Sequence, residues 1–158
     1  DGLKIQAMRR VAETLGWCTM APDFRGMPDP EQRTRTLLKQ LPQGETVRLV
    51  GSSLGGFVAA RAVELAPPSI GIEGIFLLCP AFDLPGYPLV RPEQMLRGAA
   101  VRIVHGRHDQ VVPLANSIRA AEAWQCPLLI TEDDHPLHKS VDLISAFLAD
   151  WLRLKELS

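Results

Sequence analysis

The sequence predicts an α/β protein with a mostly parallel sheet and helices on both faces. Apolar runs of strand length alternate along the chain with segments whose apolar residues recur at helical spacing. Residues 74–80, GIFLLCP, are apolar throughout, which is typical of a strand buried on both faces. The chain has 158 residues with neither an internal repeat nor a linker, so we interpret residues 1–158 as one domain.

The individual elements follow from the same two periodicities and from their end signals. Residues 2–15 have helical spacing, and Gly16 ends that helix. Pro30 suits the first position of a second helix, and Pro67 stops the helix that begins at residue 54. In chain order the patterns predict helix 2–15, strand 17–21, helix 30–41, strand 46–50, helix 54–66, strand 74–80, strand 100–106, helix 114–124, strand 127–133 and helix 141–152.

Composition argues against several classes of protein. The formal net charge of −1 is not that of a nucleic-acid binder or of a protein held on an anionic membrane surface. No apolar run approaches the roughly 18 residues needed to cross a membrane, and no signal peptide is recognisable. The three cysteines (Cys18, Cys79 and Cys126) are far apart, which predicts reduced thiols in a cytoplasmic protein and neither a disulfide framework nor a zinc site.

The segment VGSSLGG, residues 50–56, contains a candidate nucleophile. Residues 51–55 match G-x-S-x-G with Ser53 at the centre, between a predicted strand and a predicted helix. A nucleophile there occupies a sharp, strained turn, so glycines on both sides would avoid a clash. The backbone N–H of Leu54 would then face a developing oxyanion. An ordinary turn is the alternative, because Gly and Ser also populate plain turns, and Ser52 fits only a supporting role.

A serine nucleophile needs a base and an orienting carboxylate, and both follow in the order Ser, Asp, His. Asp109 comes after the strand 100–106, which places its carboxylate at the carboxyl edge of the sheet, where ligands of such folds bind. His135 lies between the last strand and the last helix, and Pro136 biases it toward extended backbone on the loop. These positions predict a triad of Ser53, Asp109 and His135.

Other residues compete for these roles. His138 is the alternative base, and Asp83 is the alternative acid because it also follows a buried strand. Asp109 is alternatively the start of a turn or a helix cap. Asp133 and Asp134 adjoin the base in sequence and are therefore poor orienters of its ring. The two remaining histidines are interpreted without a catalytic role, His105 as packing and His108 as solvated.

With these residues assembled, the chain resembles the α/β-hydrolase superfamily, and more narrowly its small, lidless bacterial members. The resemblance implies Ser53 as nucleophile, Asp109 as acid and His135 as base. The segments that carry it are spread over most of the chain: APDFRGMPDPEQR, VRLVGSSLGGFVAA, LLCPAFDLPGYP, VRIVHGRHDQVVP and TEDDHPLHKS.

The sequence departs from that family at its beginning. In the superfamily a strand precedes the first helix, lies beside the elbow strand and ends in a loop that supplies the second oxyanion N–H. This sequence begins at Asp1 with the predicted helix, so strands 17–21 and 46–50 would flank a gap. Each unpaired backbone group in such a gap would cost about 1–3 kcal/mol. We therefore expect a further N-terminal segment of about 10–15 residues that carries the second oxyanion donor.

The resulting hypothesis is a serine hydrolase that cleaves a small-molecule carboxylic ester or thioester through an acyl-enzyme, with no metal or organic cofactor. The region between strands 74–80 and 100–106 is only about 20 residues long, which predicts a small, open pocket. Four side chains of that region are expected to line it for a short or medium apolar acyl group, with ordinary packing as the alternative. They are Phe82, Leu84, Tyr87 and Leu89.

Three other functions remain as alternatives to this hypothesis. The same triad could serve perhydrolysis or peptide cleavage. The fold could belong to a noncatalytic binding protein. A flavodoxin-like nucleotide or phosphate binder would need a phosphate-cradling loop, and the sequence contains neither GxGxxG nor GxxxxGK(S/T).

Overall fold

The computed structural model describes residues 2–88 and 95–157 of the chain. Within these two ranges there are five α-helices and four β-strands. The helices are α1 (Gly2–Thr14), α2 (Pro30–Gln40), α3 (Leu54–Leu65), α4 (Leu114–Trp124) and α5 (Val141–Arg153). The strands are β1 (Thr46–Ser52), β2 (Gly71–Leu78), β3 (Val101–Gly106) and β4 (Leu128–Thr131). Short 3-10 turns at Gly98–Ala100 and His138–Ser140 precede β3 and α5.

The four strands form one sheet in the order β1-β2-β3-β4, and each strand runs parallel to its neighbour. In the register, Ser52 lies beside Leu78, Leu78 beside Val104, and Val104 beside Leu129. The carboxyl ends of all four strands therefore meet at one edge of the sheet. The predicted parallel sheet is confirmed, and its carboxyl edge collects the loops that hold the candidate site residues.

Helices cover both faces of this sheet, as predicted. Successive side chains of β2 point to opposite faces. Ile75 and Leu77 pack with α3 and α4, whereas Phe76 and Leu78 pack with α1 and α5. All four side chains are fully buried. A strand buried on both faces has no polar face, which explains why this stretch is apolar without alternation.

Helix α2 lies outside α3 and extends the core on that side. Leu37 of α2 and Val58 of α3 belong to one buried cluster. The helix begins as its sequence indicates, because Asp29 caps it by accepting a hydrogen bond from the N–H of Glu31, and Pro30 fills the first turn.

Within the described ranges, no helix is both long and apolar enough to span a membrane.

Residues 17–21 form no strand, so that prediction is wrong. The chain turns at Gly16, whose φ is 92°, and continues without regular structure toward α2. A segment becomes a strand only when a neighbour completes its hydrogen-bond ladder. In the described part of the chain, β1 is an edge strand that pairs with β2 alone. The described sheet therefore has no internal gap. The other predicted elements form, with ends shifted by up to three residues.

Candidate active site

Ser53 occupies a sharp turn between β1 and α3. Its backbone has φ 55° and ψ −115°, a conformation that residues other than glycine rarely adopt and that costs about 1–3 kcal/mol. Two hydrogen bonds hold the turn: the Ser53 N–H donates to the carbonyl oxygen of Leu78 at 2.8 Å, and the Ser53 carbonyl accepts from the N–H of Ala81 at 3.0 Å. Strain maintained in this way is typical of functional sites. The turn places Ser53 at the carboxyl edge of the sheet.

The glycines around Ser53 are required to different degrees. A Cβ on Gly51 would lie 2.2 Å from the carbonyl oxygen of Gly55, so a larger residue does not fit there. A Cβ on Gly56 would lie 2.8 Å from the Cβ of Pro80, where α3 passes close to the loop after β2. Apart from its chain neighbours and the backbone of its own helix, a Cβ on Gly55 would meet no atom within 4 Å in the described part of the chain. The prediction that glycines on both sides avoid a clash is therefore wrong for Gly55.

His135 lies between the candidate nucleophile and the candidate acid. Its Nε2 is 3.0 Å from Ser53 Oγ, and its Nδ1 is 2.7 Å from Asp109 Oδ2. Because an ionised carboxylate only accepts hydrogen bonds, Nδ1 carries the proton and Nε2 is left to accept from the serine hydroxyl. The structure thus brings the three predicted residues together in the arrangement that serine activation requires. His138 instead begins the 3-10 turn ahead of α5.

Asp109 divides its two carboxylate oxygens between two tasks. Oδ1 accepts from the backbone N–H groups of Val111 and Val112, each at 2.8 Å, while Oδ2 faces His135. The side chain is fully buried. Burial by itself raises the pKa of Asp109, but the hydrogen bonds from His135 and the two N–H groups outweigh it and hold the pKa below its usual value. Starting a turn and acting as the acid are therefore compatible roles for this residue.

Asp133 holds the loop that presents His135. Its Oδ1 accepts from the N–H of Asp134 at 2.8 Å. Its Oδ2 accepts from the N–H of Lys139 at 2.9 Å and from the hydroxyl of Ser140 at 2.8 Å. Burial raises the pKa of Asp133, but these hydrogen bonds more than offset it, so the pKa lies below its usual value. Asp133 does not contact the base ring, and it supports the base through the loop instead.

Lys4 reaches the same loop from α1. The residue is only 2% exposed, and its Nζ donates to the carbonyl oxygen of Pro136 at 3.1 Å. Burial lowers the pKa of Lys4, although acidic neighbours oppose the shift. These neighbours are Cys79, Asp133 and Asp109. Sequence reasoning missed Lys4, because a lysine on an amphipathic helix usually lies on the solvated face.

Leu54 is the first residue of α3, so its backbone N–H has no partner within the helix. It directly follows Ser53, at the end of the helix where the dipole is positive. This position suits a donor to an oxyanion formed at the serine. That role stays a prediction.

The four predicted pocket residues have different environments. Leu84 and Tyr87 are half-buried and joined by a backbone bridge, and the Tyr87 ring packs edge-on against Phe57 of α3 with a centroid separation of 5.6 Å. Phe82 is fully buried and packs edge-on against a tryptophan of α4. The prediction that Phe82 lines an open pocket is wrong, because its side chain points into the core. Leu89 lies outside the described residues.

Asp83, the alternative acid, and His108 both have partners away from the candidate base. The Asp83 carboxylate forms an ion pair with Arg119, with Oδ2 3.2 Å from Nη2. The His108 side chain is 64% exposed, and its Nε2 lies 2.9 Å from a carboxylate oxygen of Glu132. Asp109 is therefore the carboxylate that contacts the candidate base.

Three side chains beside the triad could be considered as metal ligands. One donor atom each from Cys79, His105 and Asp109 lies within 4.8 Å of the others. Both His105 nitrogens already have partners, since Nδ1 is 2.7 Å from Ser117 Oγ and Nε2 is 2.9 Å from the carbonyl oxygen of Val112. Burial raises the pKa of Cys79 to about 12, so its thiol stays protonated at neutral pH and is a poor ligand. These three side chains are therefore better suited to hydrogen bonding around the triad than to binding a metal ion.

A cavity of about 810 Å³ lies at the opposite, amino-terminal edge of the sheet. It contains no member of the candidate triad. Because ligands of parallel α/β sheets bind at the carboxyl edge, we do not assign the substrate to this cavity. Its lining residues are Glu73, Met95, Leu96, Arg97, Gly98, Ala99, Ala100, Gln125, Lys155, Glu156 and Leu157.

Comparison with known proteins shows which family the chain belongs to. The chain matches no protein-family model and no curated protein. Among solved structures, a protein of Xanthomonas campestris pv. campestris, described as a candidate hydrolase of the alpha/beta superfamily, is 30% identical with a TM-score of 0.79. That match covers 96% of this chain and 90% of that one.

Two more distant structures share the fold. Est1E from Butyrivibrio proteoclasticus is 18% identical with a TM-score of 0.76, covering 94% of this chain and 80% of its own. The esterase domain of a Rhodothermus marinus protein is 20% identical with a TM-score of 0.65, covering 95% and 79%. Given the parallel sheet, the serine turn and the match at 30% identity over nearly its whole length, the chain belongs to the α/β-hydrolase superfamily.

Proposed function

We propose that this protein is a serine hydrolase that cleaves a carboxylic ester or thioester through a covalent acyl-enzyme. The observation that supports this most directly is the pair of contacts at His135, 3.0 Å from Ser53 Oγ and 2.7 Å from Asp109 Oδ2. The strained backbone of Ser53 supports the same conclusion. The hydrolase and esterase descriptions of two structural neighbours favour the same reaction class.

In the first half-reaction, Ser53 Oγ attacks the carbonyl carbon of the substrate while His135 Nε2 takes the serine proton. The carbonyl oxygen becomes an oxyanion, which the N–H of Leu54 is placed to stabilise. The imidazolium at His135 is stabilised by the ionised Asp109. When the tetrahedral intermediate collapses, the bond to the leaving alcohol or thiol breaks, and His135 returns a proton to it. An acyl ester on Ser53 remains.

In the second half-reaction, water replaces the leaving group. His135 removes a proton from the water as its oxygen attacks the acyl carbon. The intermediate then expels Ser53 Oγ, which recovers the proton from the imidazolium, and the carboxylic acid leaves. This chemistry requires neither a metal ion nor an organic cofactor.

The proposed acyl group is short or medium in length and apolar. Half-buried Leu84 and Tyr87 follow β2 on the segment that also contacts the serine turn, since the N–H of Ala81 binds the Ser53 carbonyl. Apolar side chains beside a few polar groups are typical of small-molecule sites. A panel of esters and thioesters of increasing acyl length, with peptides and peroxide as competing substrates, separates this proposal from peptide cleavage and perhydrolysis.

The direct test uses a fluorophosphonate probe on the full-length protein, followed by intact-mass spectrometry. We expect one adduct on the wild type, none on Ser53→Ala, and one again on the neighbouring control Ser52→Ala. The same variants are then compared on the ester and thioester panel. A folded wild-type protein that forms no adduct and hydrolyses none of these substrates would contradict the proposal and favour a noncatalytic binding protein.

A further inference from the structure

His105 lies directly behind the candidate acid and is fully buried. Its Nε2 is 2.9 Å from the carbonyl oxygen of Val112 and 3.1 Å from Asp109 Oδ2. Its Nδ1 is 2.7 Å from Ser117 Oγ. The interpretation of His105 as a packing residue is therefore incomplete, because both ring nitrogens have polar partners. One of those partners is the oxygen that also faces His135.

These contacts define where the His105 proton lies. A backbone carbonyl and an ionised carboxylate can only accept hydrogen bonds, so the nitrogen that faces both of them must carry the hydrogen. Nε2 is therefore the protonated atom, and Nδ1 accepts from the hydroxyl of Ser117. Burial lowers the pKa of His105, and the opposing interactions with Val112 and Asp109 do not reverse the shift, so the ring is neutral.

We propose that His105 is a positioning residue for the triad: its Nε2–H donates to Asp109 Oδ2, the oxygen that also accepts from His135, and moderates how strongly that oxygen attracts the His135 proton. The inference rests on the proposed function, because its role lies in the same triad. A carboxylate oxygen that accepts two N–H groups has less electron density for each of them. The donor thus fixes the orientation of Asp109 and favours the neutral, base-competent form of His135.

The other titratable groups that face this cluster come from three further elements of the fold. They are Lys4 on α1, Cys79 after β2, and Asp133 and His135 on the loop after β4. None of these residues is itself altered when His105 is substituted. A change in the pKa of His135 between variants of His105 therefore reports the loss of the Nε2–H donor, which lies 3.1 Å from Asp109 Oδ2 and 2.9 Å from the carbonyl oxygen of Val112.

The test compares His105→Asn with His105→Gln. The amide nitrogen of glutamine reaches about as far as Nε2, so His105→Gln keeps a donor toward Asp109. The shorter asparagine reaches only about as far as Nδ1 and removes that donor. His108→Asn is the matched control, because it makes the same substitution at an exposed histidine.

The readout is the pKa of His135 measured by NMR titration of its ring, which needs no turnover. In His105→Asn we expect it to rise by about half to one unit, because the loss of a hydrogen bond makes Asp109 more attractive to the proton. His105→Gln and His108→Asn should stay close to the wild type. If the enzyme is active, the acidic limb of the kcat/KM profile moves to higher pH by the same amount.

An unchanged pKa of His135 in His105→Asn would overturn the proposal, and so would an equal rise in His105→Gln. If His105→Asn does not fold, the tautomer of the His105 ring in the wild-type protein tests the proposal instead. Nitrogen-15 spectra should show a neutral His105 ring protonated at Nε2. A His105 ring that is protonated at Nδ1, or charged at neutral pH, would refute the proposal. A serine that does not react with fluorophosphonate would remove the proposed function, while these NMR measurements would still test His105.

Discussion

Lys4 Nζ donates a hydrogen bond to the carbonyl oxygen of Pro136, 3.1 Å away across 132 positions of sequence. The contact joins the first helix to the loop that carries the candidate base. Because a buried ammonium group is costly unless it is hydrogen-bonded or paired, the bond restrains both partners. The loop that presents His135 is therefore held in part by α1, a helix that contributes no residue to the candidate triad.

The first prediction concerns Lys4→Met, which keeps most of the side-chain volume and removes the ammonium group. We expect kcat for ester hydrolysis to fall about tenfold with little change in KM, because the base loop loses one restraint. Fluorophosphonate labelling should slow by a similar factor. Lys39→Met, at an exposed position of α2, is the matched control and should behave as the wild type. A wild-type kcat in Lys4→Met would exclude this role.

The second prediction concerns the acid. Asp109→Asn keeps the shape of the side chain but no longer stabilises the His135 tautomer with a proton on Nδ1, so kcat should fall by about three to four orders of magnitude. Asp83→Asn is the matched control, because Asp83 pairs with Arg119 instead. It should retain activity within a few-fold. Steady-state kinetics on a chromogenic ester measure both variants, and a larger loss in Asp83→Asn would transfer the acid role to that residue.

The third prediction concerns stability and pH. The pKa of Asp133 in the folded protein lies below its usual value, so its contribution to stability is complete above the unfolded pKa of about 3.9 and is lost as pH falls through the folded pKa. Asp133→Asn should lower the free energy of unfolding by about 1–3 kcal/mol at neutral pH, because Lys139 N–H and Ser140 Oγ lose a charged acceptor.

At acidic pH, below the folded pKa of Asp133, the difference between Asp133→Asn and the wild type should shrink. Urea denaturation at neutral and acidic pH measures this change. Asp134→Asn, at the exposed neighbouring position, is the control and should leave the neutral-pH stability nearly unchanged. A constant difference at both pH values would show that the charge of Asp133 is not the stabilising feature.

The fourth prediction separates two glycines of one motif. Gly51→Ala places a Cβ 2.2 Å from the Gly55 carbonyl oxygen, so it should abolish either folding or reaction with fluorophosphonate. Gly55→Ala meets no described atom within 4 Å outside its own helix and its chain neighbours. It should stabilise α3 by about 0.5–1 kcal/mol, because alanine loses less backbone entropy in a helix. Thermal unfolding and probe labelling compare the two variants. Equal damage from both would contradict the structure of the turn.

Particular elements show where sequence patterns sufficed and where they failed. β2 was predictable because a strand buried on both faces needs a continuous apolar run. Residues 17–21 also have a strand-like composition, yet no ladder forms there, since a strand depends on a neighbour that local pattern does not specify. Phe82 follows a strand end in the expected region, but its side chain is fully buried. The backbone just before it has an unusual positive φ of 43° at Cys79, which the sequence pattern does not indicate.

The order of Ser53, Asp109 and His135 and the strands they follow was predictable from the residue pattern alone. Short-range patterns specify strands and turns, and parallel strands bring their carboxyl ends to one edge. The contacts that hold these three residues in position arise only when the chain folds. Lys4, His105 and Asp133 act through contacts made by packing α1 and the loops against the sheet. Such contacts leave no local pattern in the sequence, since each partner is polar, common in type and distant along the chain or oriented by a loop.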